Sequence, residues 1–236
     1  MFDFSAETTR NSLERSLRNL GVGYLDIIKV HDIEFAPNLE YVFTQTLPVL
    51  QEAIIEGKVK YLGVTGYPVS ILQQAVESTP IKIHVVLSYC RNTLIDDSLS
   101  EIIPSLQKKG VGVISATATA MGLLSNAGPP DWHPATNEIK MVCREAAKYC
   151  KELNVELGKL AVYHSLKKDG VAMHVVGMNT MDLLNSNLNI VYNGITAHEK
   201  RVLEHVKEKF FSRLRKGHWE GLELKRYNEI TAAEDS

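Results

Sequence analysis

The chain has 236 residues, of which 44% are hydrophobic and 23% are charged, with a net charge of −2 and an isoelectric point near 6.5. These proportions are typical of a globular protein with one sizeable core, and they exclude a strongly basic nucleic-acid-binding protein or a polybasic membrane surface. No apolar run approaches the ~20 residues of a membrane-spanning helix, and from the first residues we expect no signal peptide. Three scattered cysteines (Cys90, Cys143 and Cys150) favour reduced thiols in a cytosolic protein over a disulfide framework or a metal site.

The first ninety residues predict helices that alternate with short apolar strands. Ser5 is a candidate N-cap, Leu13 and Leu17 lie on one helix face, and Gly21 supplies a stop. The predicted helices cover Ser5–Leu20, Leu47–Glu56 and Ser70–Ser78, and the predicted strands cover Tyr24–His31, Val59–Val64 and Ile83–Tyr89.

The rest of the chain continues the same alternation after one long loop. The loop, Ala116–Thr136, is long enough to indicate function. Two further strands are predicted at Val111–Ser115 and Val171–Val176. Helices are predicted at Ser98–Lys109, Asn137–Leu153, Leu157–Lys168, Thr180–Asn189 and Ala197–Leu214, followed by an irregular tail that contains Trp219.

Five strands separated by helices predict an α/β fold with a parallel sheet in a single domain, residues 1–236. A helix, a glycine and a strand occur twice in similar form, at Pro48–Val64 and Pro104–Ser115, which indicates repeated βα units. Consecutive units favour a curved barrel wall. The alternative, a flat doubly wound sheet, normally carries a glycine-rich fingerprint after its first strand, and His31-Asp-Ile-Glu has no glycine.

His31 is the first candidate functional residue because it ends a buried strand. Leu25, Ile27, Ile28 and Val30 form a nearly continuous apolar run, and chemistry in parallel α/β folds collects beyond the carboxyl ends of the strands. The alternative from this strand alone is a hydrogen-bonded structural histidine.

Seven stretches along nearly the whole chain carry a family resemblance. They are FDFSAETT (2–9), YLDIIKVHDIEF (24–35), VKYLGVTGYP (59–68), VVLSYCRN (85–92), KGVGVISATATAMGLLS (109–125), GPPDWHPA (128–135) and VVGMNT (175–180). In this order they resemble the aldo-keto reductase superfamily, and within it the L-galactose dehydrogenase group.

The resemblance implies an incomplete (β/α)8 TIM-barrel with barrel strands 4–8 only, because the first three βα units have no match. It assigns His31 as the family's catalytic histidine, which hydrogen-bonds the reacting oxygen while a tyrosine transfers the proton. The family's catalytic aspartate, tyrosine and lysine fall in the absent units, and Tyr24 and Lys29 do not replace them. Two explanations fit: a truncated isoform, fragment or incomplete gene model of an oxidoreductase, or a genuine short protein that has lost catalysis and keeps a binding or regulatory role.

Most of the family's cofactor contacts fall within the chain. Thr65-Gly66 match a Ser-Asn pair that holds the carboxamide of the nicotinamide, so the family's asparagine side chain is missing at Gly66. Thr117–Gly122 match the loop that holds the pyrophosphate. Asn187 matches an adenine-binding asparagine. The alternatives are an ordinary turn at Thr65-Gly66 and a polar helix residue at Asn187. The implied cofactor residues are Thr65, Gly66, Ser88, Thr117, Thr119, Met121, Gly122, Gly177, Met178, Asn179, Thr180 and Asn187.

Charge distinguishes the two nicotinamide cofactors. A 2′-phosphate calls for a nearby arginine or lysine, and Met178–Val191 contain neither, which favours NAD over NADP. Trp132 and His133 are candidate substrate residues, since an aromatic face suits a sugar ring; alternatively, Trp132 only anchors its loop. The expected partner is a small sugar, oxidised at C1, with no metal, nucleic acid or membrane, in a cytosolic monomer or weak homo-oligomer.

Overall fold

The computed structural model describes residues 2–234, so the outermost residues of the predicted 1–236 domain lie outside the described part. The chain divides into two compact units. Within the described residues, unit 1 comprises 2–88, 101–114 and 224–234, and unit 2 comprises 89–100 and 115–223. The single-domain assignment stays a prediction, and each unit is described by itself below.

Parallel strands form the centre of unit 1. Strand β1 (Leu25–Val30) pairs with β2 (Val59–Gly66), which pairs with β3 (Val85–Tyr89). The register places Val30 opposite Val64, and Gly66 opposite Ser88. The carboxyl ends of the three strands therefore lie side by side, as the sequence predicts for βα units.

The helices of unit 1 bury the stripes that their sequences show. Helix α1 (Ala6–Leu20) begins at Ser5, whose side chain accepts a hydrogen bond from Thr8 N, and ends at Gly21 in the left-handed region (φ 66°). Its Leu13 and Leu17 pack with Ala53, further along the chain, and with Val59 of β2. The remaining helical elements of unit 1 are a short 3₁₀ turn (Ile33–Phe35), α2 (Leu39–Tyr41), a π turn (Val42–Thr46), α3 (Leu47–Ile55), α4 (Val69–Ser78) and α5 (Leu99–Lys108). The first two residues of α5 belong to unit 2.

Unit 2 is built mainly of helices after strand β4 (Gly112–Ala116), which begins in unit 1. Thr117 N donates to Val175 O in the short strand β5 (Met173–Val175). Thr136 caps the longest helix, and Thr196 with Glu199 forms a capping box at another. The helices are α6 (Asn137–Glu152), α7 (Leu157–Leu166), α8 (Met181–Asn193) and α9 (Ala197–Lys209), followed by a 3₁₀ turn (Phe211–Arg213).

The tail differs from its prediction. Instead of irregular chain, it forms a further helix, α10 (Leu222–Glu234). Its Tyr227 packs edge-on against Phe2 and Phe35 in unit 1, at ring-centroid distances of 5.5 and 5.2 Å. The segment is rich in good helix formers, but no clear apolar stripe marks it in the sequence, so its packing against two distant aromatic residues had no local signal.

The α/β class and the parallel sheet are confirmed. The five strands are hydrogen-bonded in chain order, without the reversal of order that defines a doubly wound sheet. The result favours the barrel-type alternative. Among residues 2–234, no helix is long and apolar enough to cross a membrane.

Candidate active site

His31 lies immediately after β1, and its imidazole is accessible. The side chain is 76% exposed, and Nδ1 lies 3.1 Å from a carboxylate oxygen, Oδ2 of Asp32. Nε2 makes no hydrogen bond to any residue in the described range 2–234. A ring with one nitrogen on a carboxylate and the other facing out can reach a ligand in a way that a structural histidine cannot.

Asp32 is held by the neighbouring strand. Its backbone is left-handed (φ 48°, ψ 61°), a conformation that few residues other than glycine adopt, although Asp and Asn do so more readily than most. Its N–H donates to Thr65 Oγ1 (2.8 Å), and the Thr65 hydroxyl donates to Asp32 Oδ1 (3.1 Å). Burial raises the pKa of Asp32 above its ordinary value, while the neighbouring His31 and the Thr65 hydroxyl oppose that shift.

Thr65 therefore has a role that the sequence did not predict. It is buried at the end of β2, and its hydroxyl accepts from one atom of Asp32 and donates to another. A contact between that hydroxyl and a cofactor amide stays a prediction. The observed bonds instead fix the turn that follows His31.

Gly66 leaves space that another side chain fills. A Cβ atom at this position would lie 2.8 Å from Glu34 Oε2 and 3.3 Å from a methyl group of Leu72. Glu34 is buried, and its other carboxylate oxygen accepts a hydrogen bond from Tyr67 N at 2.7 Å. The loss of the amide side chain at Gly66 is thus accompanied by a carboxylate that occupies its place.

Ser88 is the remaining predicted residue of unit 1. It is buried at the end of β3, and its Oγ has no hydrogen-bond partner among residues 2–234. Because buried hydroxyls are normally paired, such an atom suits a polar ligand group. His31, Thr65, Gly66 and Ser88 end three adjacent strands, so the structure brings these four residues together.

In unit 2, the loop after β4 has an unusual backbone. Thr117, Ala120 and Met121 have positive φ angles (65°, 49° and 52°), as does Gly122 (93°). A Cβ atom on Gly122 would lie 3.1 Å from Gly128 O. Consecutive residues held in a sparsely populated conformation are typical of ligand-binding loops.

Part of the hydrogen-bonding capacity of this loop is used internally. Ala120 N donates to Thr117 O, while Gly122 N and Leu124 N donate to Thr119 O. The predicted contacts of Thr117, Thr119, Met121 and Gly122 with a pyrophosphate are therefore limited to groups outside these bonds, and they stay predictions.

His133 is buried, and the hydrogen bonds of its ring connect backbone groups of the long loop. It is 1% exposed; its Nδ1 accepts from Ala135 N at 3.0 Å, so Nε2 carries the proton and donates to Ala120 O at 3.1 Å. Burial lowers its pKa, which keeps the ring neutral. Both ring nitrogens are hydrogen-bonded to backbone groups, so neither is available for the expected contact between His133 and sugar hydroxyls.

The two tryptophans on either side of His133 differ in exposure. Trp132 is 67% exposed and stacks on His133 with ring centroids 6.4 Å apart. Trp219 is buried, meets the His133 ring edge-on at 4.8 Å and donates its indole N–H to Glu223. Trp132 thus retains an open aromatic face, whereas Trp219 anchors the loop from beneath.

The start of α8 is exposed. Gly177, Met178, Asn179 and Thr180 are all accessible, and Thr180 is the N-cap, accepting from Leu183 N at 3.2 Å. Asn187 lies half-buried in the middle of this helix, which extends beyond its predicted end. The five residues belong to one short segment of unit 2, as predicted, and their adenosine contacts stay predictions.

The cysteines are buried and free, as expected for core thiols. Burial raises the pKa of Cys143 to about 12, which makes the thiol unreactive. Among residues 2–234, no group of three His, Cys, Asp or Glu side chains is arranged to hold a metal ion.

The sequence reasoning missed Asp32 and Glu34. Both are acidic residues directly after a buried strand, beside a candidate histidine, and that position was a usable signal. Their burial had no local signal, because it depends on Thr65, Gly66 and Tyr67 more than thirty residues later.

The chain is similar to several known proteins. It is 40% identical over 191 residues to an L-galactose dehydrogenase of Arabidopsis thaliana, covering 80% of this chain and 60% of that protein. It is 28% identical over 228 residues to a D-arabinose 1-dehydrogenase of Saccharomyces cerevisiae, covering 89% of this chain and 67% of that protein. This chain thus spans about 60% of the length of the Arabidopsis relative.

A solved structure shares the fold. The holo form of aldo-keto reductase AKR11C1 from Bacillus halodurans superposes with a TM-score of 0.63 at 22% identity, covering 87% of this chain and 68% of that protein. The model of the aldo/keto reductase family matches residues 1–207. The chain therefore belongs to the aldo/keto reductase family.

Proposed function

We propose that this chain carries part of the active site of an NAD(P)-dependent oxidoreductase that oxidises an aldose at C1, of the L-galactose type, to the lactone. The observation that carries the proposal is the accessible imidazole of His31 at the carboxyl end of β1, with Nε2 directed away from the Asp32 carboxylate. The relatives named as L-galactose dehydrogenase and D-arabinose 1-dehydrogenase support an aldose as substrate.

The residues of the chain fit a nicotinamide cofactor. The buried Ser88 Oγ, which has no partner among residues 2–234, lies at a strand end beside Gly66 and offers a polar group to a ligand. In unit 2, the strained loop Thr117–Gly122 and the exposed start of α8 would hold the phosphates and the adenosine. The nicotinamide ring supplies hydride transfer when it is bound.

NAD is the proposed cofactor. Residues 178–191 contain no arginine or lysine, and Asp182 adds a negative charge to the first turn of α8, which disfavours a 2′-phosphate. Titration of the chain with NAD and NADP by isothermal calorimetry tests this, and we expect tighter binding of NAD. Equal or tighter binding of NADP contradicts the proposal.

The family's aspartate, tyrosine and lysine have no match in this chain, so we propose that the 236 residues alone have impaired activity or none. The test measures NAD-dependent oxidation of L-galactose and D-arabinose by two proteins, the 236-residue chain and a longer form. The longer form carries the first three βα units of the Arabidopsis relative in front of residue 1. An active long form beside an inactive short one supports the proposal, whereas turnover by the short chain requires another proton donor near His31.

One observation favours a second candidate, a non-catalytic interaction protein. Strand β5 and helix α8 expose several large apolar side chains, and such patches often mark contact surfaces. They are Met173, Val175, Met181, Leu183, Leu188, Val191 and Tyr192. An inactive chain that melts cooperatively as purified would support that candidate, whereas a chain that aggregates or binds a hydrophobic dye would indicate an orphaned barrel fragment.

A further inference from the structure

Unit 2 contains a cavity between the long loop and helix α6. Its volume is about 380 Å³, and it is lined by residues 123 and 125–131 of the loop and by one face of α6. Among the described residues that line it, none belongs to the predicted cofactor or substrate set. This cavity, called the α6 groove below, is therefore separate from the predicted cofactor and substrate contacts.

The α6 wall of the groove is cationic. Lys140, Arg144 and Lys148 line it at intervals of four residues, which places them on one side of the helix. Like charges at this spacing repel each other, so the helix itself gains no stability from the arrangement. Within residues 2–234, Lys140 and Arg144 have no ion-pair partner, and Lys148 approaches only Glu152, at 3.9 Å. The protein thus leaves most of this positive charge uncompensated.

The acidic side chains nearby do not neutralise this wall. Glu145 of α6 accepts a hydrogen bond from Arg213 Nη1 at 2.6 Å and does not line the groove. Asp131 is the one carboxylate among the described residues that line the groove, and it is exposed to solvent. The groove therefore carries a net positive charge and favours an anion.

The loop wall offers an apolar surface that is held in place. Pro129 and Pro130 line the groove, and their rings restrict the backbone. Asn126 anchors the same segment: its Nδ2 donates to Val155 O at 2.8 Å, and its Oδ1 accepts from Leu157 N at 3.2 Å. A cavity of a few hundred Å³ whose walls are already fixed suits a small organic ligand, because little ordering accompanies binding.

We propose that the α6 groove binds a small organic phosphate. The phosphate group meets Lys140 and Arg144, and the body of the ligand lies against Pro129 and Pro130. A doubly charged phosphate suits this wall better than a single carboxylate does, since a guanidinium binds two of its oxygens and an ammonium a third. The inference involves no reaction and does not rest on the proposed function.

The probe for the test is phenyl phosphate, which joins a phosphate to an apolar ring. The full chain, labelled with ¹⁵N, is titrated at low ionic strength, where exposed charges are least screened. We expect saturable binding, with the shifts in the ¹H–¹⁵N spectrum concentrated at residues 123–131 and 140–148. Inorganic phosphate, which has no apolar body, should bind more weakly, and benzyl alcohol, which has no charge, should not bind.

Charge variants of opposite sign test the residues. Lys140→Gln and Arg144→Gln should each weaken binding of phenyl phosphate by about 5- to 10-fold, and the double variant should abolish it. Asp131→Asn should strengthen binding by about 2-fold or more, because it removes a repelling charge. Lys151→Gln is the matched control, since Lys151 is exposed on the same helix but does not line the groove; it should leave the affinity unchanged.

Three results overturn the inference. The first is the absence of saturable binding, or an affinity that Lys140→Gln and Arg144→Gln change no more than Lys151→Gln does. The second is equally tight binding of inorganic phosphate, which would mean an adventitious ion only. The third is displacement of phenyl phosphate by saturating NAD, which would place the phosphate in the cofactor site. Oxidation of aldoses by the longer form is measured separately, so failure of either proposal leaves the other standing.

Discussion

Two histidines of this chain share a residue type and little else. His31 follows a strand in unit 1, is 76% exposed and has one nitrogen on a carboxylate and one without a protein partner among residues 2–234. His133 lies in the long loop of unit 2, is 1% exposed and bonds backbone groups with both nitrogens. A ring nitrogen without a protein partner is available to a ligand, whereas the nitrogens of His133 are already bonded to the backbone.

The same contrast applies to the surroundings of each ring. Buried polar side chains (Asp32, Glu34, Thr65 and Ser88) lie at or after the carboxyl ends of β1, β2 and β3, whereas His133 has aromatic and backbone neighbours. Buried carboxylates are unfavourable unless they are paired or used, and their presence beside His31 supports the proposal that this region is functional. The His133 region instead stabilises a loop.

The largest expected effect is on catalysis at His31. In the active long form, His31→Ala removes the proposed hydrogen-bond partner of the reacting oxygen and should lower kcat for L-galactose by about 10²–10³-fold. Steady-state NADH absorbance measures the rate, with Asp26→Asn as a control on the same strand. A loss of less than 10-fold would show that His31 is not at the reacting oxygen.

His133→Ala should instead reduce stability. It leaves Ala120 O and Ala135 N without their partner and opens a cavity beneath Trp132, so we expect a loss of about 2–5 kcal/mol in the free energy of unfolding. Urea unfolding followed by circular dichroism measures the change. His31→Ala should stay within about 0.5 kcal/mol, as exposed positions do. Equal losses of stability at the two positions would contradict the assignment of His133 as the buried, structural histidine and His31 as the exposed one.

Gly66→Ala tests the packing of Glu34. The added Cβ would lie 2.8 Å from Glu34 Oε2, so the carboxylate must move, and we expect a loss of about 1–3 kcal/mol in the free energy of unfolding. Gly23→Ala is the control, because nothing lies within 4 Å of a Cβ atom there and its φ is not positive. An unchanged midpoint in urea for Gly66→Ala would mean that Glu34 does not occupy this space.

The smallest effect concerns the pH dependence contributed by Asp32. Burial raises its pKa from the ordinary value of 3.8, so the folded state binds more protons than the unfolded state above that pH, and stability falls as pH rises through the raised pKa. Asp32→Asn abolishes this contribution. Relative to wild type, the variant should therefore gain stability between pH 4 and pH 7. Urea unfolding at both pH values measures the difference, and a relative loss between them would contradict the sign.

Much of the secondary structure was predictable because it depends on local patterns. The stripe and caps of α1, the apolar runs of β1 and β2 and the glycine stop at Gly21 all appear within single elements. Boundaries shifted by one to a few residues: β2 extends to Gly66, and β5 is confined to Met173–Val175. Helix α10 was missed because Tyr227 owes its place to Phe2 and Phe35 at the other end of the chain.

Periodicity and the order of the motifs are enough to predict the alternation of helices and strands, the family and the position of His31 at a strand end. Which polar atoms are buried, and which are already bonded, depends on how the chain folds. The Thr65 hydroxyl is hydrogen-bonded to Asp32, the Glu34 carboxylate fills the space beside Gly66, and the His133 ring is buried and hydrogen-bonded within its own loop. These outcomes depend on hydrogen bonds and close contacts between residues 13 to 33 positions apart, which no local pattern records.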